Sequence, residues 1–168
     1  LDTLFFFCVI GLRNLQETKI FKIRSSLTRY IREFLYDNDF TEIQTPKLVA
    51  GATEGGAEVF KTDYFGKEAT LAQSPQFYKQ MMVGVFERVF EMNRNFRNEG
   101  MSPRHNPEFT MLEFYQTYAT HDDLMDLTEE LMRKIVIQVT GNEVVDYQGT
   151  QISFKGPWKR LTMEQAVK

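Results

Sequence analysis

The stretch FRNEGMSPRHNPEFTMLEFY, Phe96 to Tyr115, decides how this chain is read. Two runs of strand-forming residues flank a loop rich in glycine, proline and asparagine, the pattern of an antiparallel hairpin. Successive side chains of a strand point to opposite faces. Asn95, Arg97 and Glu99 therefore share one face before the loop, and Phe109, Met111, Glu113 and Tyr115 share one after it. Charges and an aromatic ring then lie on a single sheet surface. Such a face packs into a core only if its charges are paired or hold a ligand, since an unpaired buried charge costs several kcal/mol. A hairpin with one wetted, charged side is the competing reading, because antiparallel sheets often leave a face to solvent.

Around this hairpin the chain has the organisation of one α+β domain. At 168 residues it is long enough for a single core, and one cysteine, Cys8, excludes an internal disulfide and suits a reducing compartment. A formal net charge of −3 excludes a global basic field for nucleic-acid binding, so any RNA contact is local. Leu4 to Leu12 is apolar but too short to span a bilayer, and reads as a buried strand. No membrane association is expected.

Ile20, Ile23, Leu27, Ile31, Phe34 and Leu35 recur at helical spacing and predict an amphipathic helix from Thr18 to about Asn38. FTEIQTPKL, Phe40 to Leu48, follows as a strand that Pro46 restricts to an edge or an end. GATEGGAE reads as a loop, Val59 to Phe65 and Ala69 to Gln73 as short strands. Ser74 and Pro75 signal a helix start, with the helix running through Met82. Thr120 and Asp123 form a capping box for a second amphipathic helix that carries Leu124, Leu127, Leu131, Ile135 and Val139 and ends at Gly141. YQGTQISF predicts a short hairpin, and Trp158 a packing role. This order of elements favours an antiparallel sheet flanked by helices.

The run FRNEG, then RHNPEFT, then a strand carrying a glutamate, resembles motif 2 of the class II aminoacyl-tRNA synthetases, over residues 87–118. FTEIQTPKL after its helix resembles motif 1, over residues 19–48. MLEFYQTYATHDDLMDLTEEL is similar to lysyl-tRNA synthetases, as is the chain from about residue 86 onward. TEIQTPKLVAGATEGGAEVF and LAQSPQFYKQMM are more similar to the aspartyl and asparaginyl enzymes. All belong to subclass IIb, and the likeness covers the chain from about Leu12 to its end. It implies a single partial catalytic domain over residues 1–168 with a class II antiparallel sheet, truncated before a GxGxGxDR-like motif 3 and without an anticodon-binding domain. Reduced activity follows as an expectation.

The resemblance implies activation of an amino acid with ATP to an aminoacyl adenylate and transfer to the acceptor end of a tRNA, with Mg2+ carried on the ATP phosphates and no metal site built by the protein. Lysine is the favoured substrate and aspartate or asparagine the alternative. A cytoplasmic homodimer formed through the motif 1 region is implied as well. By motif position Arg97 bridges the α-phosphate and the substrate carboxylate. Glu99 and Phe109 read and stack adenine, and Arg104, His105 and Asn106 meet the distal phosphates. Read without the motif, Phe109 is an ordinary core phenylalanine and His105 a surface residue. For the amino acid the lysyl pattern implies Glu113 and Tyr115, the aspartyl pattern Gln73, Gln76 and Lys79, and the glycine-rich loop contributes Glu54. Lys79 in the pocket repels a lysine ammonium, Lys79 paired with an acid does not, and a surface lysine is the plain alternative. A protein-modifying paralogue of the lysyl enzymes and a noncatalytic ATP-binding fragment remain as other readings.

Overall fold

A computed structural model describes residues 15–51, 58–74 and 76–167. The stretch from Leu4 to Leu12, Cys8, most of the glycine-rich loop with Glu54, and Pro75 lie outside the described residues. Two compact units emerge, one of residues 1–34 and 119–168 and the other of Leu35–Tyr118.

Helix α1 spans Leu15–Asp37, as its apolar spacing predicts. It stops where Asp39 turns left-handed, with φ of 62°. The Phe40 amide then reaches the Leu35 carbonyl and the Asp39 amide the Tyr36 carbonyl, so the last orphan carbonyls of the helix are satisfied. This closure delivers Phe40 to the core of the second unit, where its ring meets Phe114 edge-on at 5.9 Å. Tyr36 meets Phe90 in the same manner at 5.5 Å.

In that unit β1 (Thr41–Glu42) pairs in parallel with β5 (Arg88–Phe96), which pairs antiparallel with β6 (Glu108–Gln116). A second sheet has the order β2 (Leu48–Val49), β4 (Lys67–Leu71), β3 (Lys61–Tyr64), all antiparallel. Helix α2 (Gln76–Phe86) packs on β5 and β6. Leu35, Phe40, Val49, Ala69, Ala72, Val89 and Phe90 form the apolar core.

The segment expected as one strand from Phe40 to Leu48 is broken into β1 and β2. The cause is local chemistry. Ile43 still donates to the Phe90 carbonyl, but the Thr45 amide turns to the Glu91 carboxylate and Pro46 has no amide to give. Helix α2 runs past Met82 to Phe86, tolerating Gly84, and closes at Glu87 with φ of 60°.

In the other unit α3 (His121–Thr140) begins with the predicted capping box. Thr120 accepts from the Asp123 amide, and the Thr120 amide donates back to Asp123 Oδ2 at 2.7 Å. The Thr120 amide and hydroxyl, both donating to it, hold the Asp123 carboxyl below its ordinary value. β7 (Val144–Tyr147) and β8 (Thr150–Ser153) make the expected hairpin across Gln148 and Gly149, both at positive φ. Trp158 packs on Phe154 and donates its indole N–H to the Phe154 carbonyl at 3.2 Å. A short helix α4 (Met163–Val167) follows. No helix among the described residues is long and apolar enough to cross a membrane.

Gly141 ends α3 at φ of 77°, donating its amide to the Ile137 carbonyl at 2.8 Å. A Cβ there has room but sits in a conformation that L-residues avoid. Gly141→Ala is expected to cost about 1 kcal/mol of stability; an unchanged urea midpoint would exclude the left-handed cap.

Candidate functional site

The register of the long hairpin builds the site. Asn95 faces Phe109, Asn93 faces Met111, Glu91 faces Glu113 and Val89 faces Tyr115. Directly paired residues of an antiparallel ladder put their side chains on the same face. The period-two face read from Asn95 to Glu99 therefore extends backward to Asn93 and Glu91. The ladder also continues past β5, since the Arg97 backbone amide donates to the Pro107 carbonyl at 2.9 Å.

At the loop end, Arg97, Glu99, Gly100, Arg104, His105, Asn106 and Phe109 line a cleft of about 470 Å3. All six residues expected at a nucleotide end are thus brought together. The Arg97 guanidinium lies over the Phe109 ring, 5.4 Å from its centre. Its Nε is buried with no hydrogen-bond partner among the described residues. A guanidinium fork matches phosphate and carboxylate oxygens, so the cleft presents a buried donor suited to an anion. The loop tip is shaped by exchanged backbone bonds between Ser102 and His105, with the Ser102 hydroxyl 2.8 Å from His105 Nδ1. Gly100, at φ of 91°, makes the turn into it.

At the other end the face is closed by an ion-pair chain. Lys79, from α2, is only 1% exposed, and its ammonium lies 2.7 Å from Glu113 and 3.3 Å from Glu91. Lys47 adds a contact to Glu91 at 3.1 Å. Glu91 further accepts from the Thr45 amide and hydroxyl and from the Asn93 side-chain amide. The Ser74 hydroxyl donates to the other oxygen of Glu113.

Lys79 is therefore neither a solvated helix lysine nor an isolated pocket cation. Tyr115 is half-buried on the same face as Glu113. Gln73 is fully buried next to Ala72, whose carbonyl accepts from the Phe96 amide. Gln76 stands exposed at the first position of α2.

Sequence reasoning missed Glu91, Thr45, Lys47 and Asn93. The signal was present in the strand period, which, continued two steps back from Asn95, lands on Glu91. An acid inside VFEMN reads as an outward residue unless its partners are known. Asn95 was placed on the face but given no role, and it is buried with a side-chain oxygen that lacks a partner among the described residues.

Burial pushes the Glu91 carboxyl up, but the Thr45 amide, the Asn93 amide and Lys47 outweigh it and hold the group below its ordinary value of 4.5. Burial pulls the Lys47 ammonium down against the opposing pull of Glu91. Among the described residues, no group of three or more His, Cys, Asp or Glu side chains is placed to hold a metal ion.

The family model for class II tRNA synthetases of the D, K and N group matches residues 2–168. The chain is 46% identical over 157 residues to a lysine-tRNA ligase of Acinetobacter baumannii, covering 92% of this chain and 31% of that protein. It is 45% identical over 158 residues to that of Magnetococcus marinus, covering 92% and 32%. The lysine-tRNA ligase of Thioalkalivibrio sulfidiphilus is 44% identical over 150 residues, covering 88% and 30%. The chain spans about a third of the length of these relatives.

A carboxylate whose pKa is depressed by folding contributes stability above its unfolded value, and that contribution is lost as pH falls through the folded value. The stability supplied by Glu91 is therefore expected to fade as pH falls below 4.5. Glu91→Gln should cost about 3 kcal/mol at neutral pH by taking the carboxylate from Lys47 and leaving Lys79 with Glu113 alone, and should flatten the loss of stability in acid. Urea midpoints of both proteins between pH 7 and pH 3 measure this; parallel curves would remove Glu91 as the titrating group.

Proposed function

The chain belongs to the class II tRNA synthetases of the D, K and N group, and from that premise we propose that its hairpin face activates an amino acid with ATP and passes it to a tRNA acceptor end. The observation that carries this reading is Arg97, whose buried Nε lacks an acceptor among the described residues while its guanidinium roofs Phe109 inside the cleft. In the proposed reaction a substrate carboxylate oxygen attacks the α-phosphorus of ATP. The bond from phosphorus to the bridging oxygen breaks, and pyrophosphate leaves with the electron pair. Two anions must approach each other, so a fixed cation between them lowers the barrier by neutralising charge and holding the attack line.

Arg97 is assigned that place. Phe109 stacks on adenine, Glu99 accepts from its exocyclic amine, and Arg104, His105 and Asn106 serve the distal phosphates. The exposure of the loop-tip residues supports this, since a triphosphate must enter from solvent. Magnesium enters the proposal as the counter-ion of those phosphates, not as a group held by a carboxylate cluster.

The amino acid is proposed to lie toward Glu113 and Tyr115, where a carboxylate and a hydroxyl offer acceptors to ammonium groups. Lysine is the favoured substrate, in keeping with the names of the relatives. The aspartate alternative rests on Lys79, but that ammonium is held between Glu91 and Glu113 and its charge is already answered. Gln73 borders this end, whereas Gln76 and Glu54 belong to it only through the family pattern. A cytoplasmic dimer through α1 is part of the same proposal, supported by the exposed side chains of Ile20, Phe21 and Ile23.

Arg97→Ala is expected to lower ATP–pyrophosphate exchange with lysine by on the order of 2 to 4 kcal/mol of activation free energy, with far-UV circular dichroism unchanged. Arg97→Lys should recover little, because an ammonium cannot reproduce the planar fork. Exchange at the parental rate in Arg97→Ala would remove the residue from the chemistry. Exchange with aspartate but not lysine in the parent would reverse the substrate assignment.

A further inference from the structure

We propose that Glu91 is a positioning residue that holds the Lys79 ammonium against Glu113, and so sets which sign of side-chain charge the amino-acid end of the site accepts. The inference rests on the reading of that end as an amino-acid pocket and names the group that tunes it. Lys47, Lys79, Glu91 and Glu113 form one continuous chain of ion pairs with charges that sum to zero. Glu91 and Lys79 are almost wholly buried, while the side chains of Lys47 and Glu113 are each 20% exposed. Glu91 is the fixed member, because Thr45 donates to it twice and Asn93 once, from β5 and from the segment before β2. Glu113 is the accessible carboxylate of the chain.

The consequence is electrostatic. With Glu91 in place, the charge of Lys79 is divided between two carboxylates, and Glu113 keeps attraction for a further cation. Without Glu91, Lys79 answers Glu113 alone and Lys47 adds an unbalanced positive charge nearby. Glu91→Gln thus leaves the cluster with one net positive charge, and Lys79→Met leaves one net negative charge. Glu91→Gln with Lys79→Met in one chain is neutral again. Opposite unit charges a few ångströms away, in a partly desolvated site, are worth a large factor in affinity.

The test is calorimetric binding of lysine and of aspartate to the parental chain and these three variants, each first checked for folding by circular dichroism. Glu91→Gln is expected to lower the lysine-to-aspartate affinity ratio by about tenfold or more, Lys79→Met to raise it by about tenfold or more, and the double variant to return it to within about threefold of the parent. A purely structural role would weaken both ligands together and leave the ratio alone. Ratios that do not move, or that move the same way in both single variants, overturn the proposal, as does a parental chain that binds neither amino acid. Should Glu91→Gln fail to fold, Lys79→Met and the double variant decide: a ratio that does not rise in the first and return in the second overturns it. Pyrophosphate exchange is measured separately. Its absence alongside the expected binding ratios would sink the proposed activation reaction and leave the role of Glu91 intact.

Discussion

The Glu91 carboxylate accepts from the Thr45 amide and hydroxyl and from Asn93, and pairs with Lys47 and Lys79. Through these contacts strand β5, which carries Glu91, is tied to helix α2 just before it and to the break between β1 and β2, 46 residues away. A buried carboxylate is costly to strip of water, and its partners must return that cost through good geometry. Here they return enough to hold the acid below its ordinary pKa in spite of burial. The same contacts explain why the segment from Thr41 to Val49 cannot be one strand. The Thr45 amide can serve a sheet ladder or Glu91, and it serves Glu91.

The two ends of the hairpin face solve the problem of charge in opposite ways. Beside Lys79 every charged group finds a partner within the protein, so the cluster is neutral, with Glu91 and Lys79 buried and Lys47 and Glu113 partly exposed. Beside Arg97 the positive group is left with a buried donor that no described residue accepts, and the residues around it open to solvent. A folded chain tolerates an unsatisfied guanidinium nitrogen at a cost of a few kcal/mol at most when the rest of the group is partly wetted. Its contact with the Phe109 face offsets part of that cost. The asymmetry is what makes the loop end read as a place for an anion and the far end as a place whose charge is tuned.

Elements governed by local chemistry were legible in the sequence. Helix α1 follows from apolar spacing, α3 from its capping box and its glycine, and the β7–β8 hairpin from Gln148 and Gly149. The gathering of Arg97, Glu99 and Phe109 in one cleft was legible too, since strand period two and the loop between β5 and β6 bring them together. Non-local partners were not legible. Whether Lys79 faces solvent, a ligand or an acid depends on Glu91 and Glu113, which lie on strands that α2 only meets after folding. For the same reason the expected strand from Phe40 to Leu48 failed at Thr45, whose acceptor is 46 residues away.

This difference in legibility has a physical root that bears on specificity. Arg97 needs only its own strand and loop to reach its position, so the loop-end cleft is a property of one hairpin. The ion-pair end needs α2, β5, β6 and the segment before β2 to agree on a single charge balance. A change at any of Thr45, Lys47, Lys79 or Glu91 alters the field at Glu113 without touching the cleft at Arg97. The charge balance at Glu113 can therefore change through residues that do not line the loop-end cleft, while Arg97 stays in place.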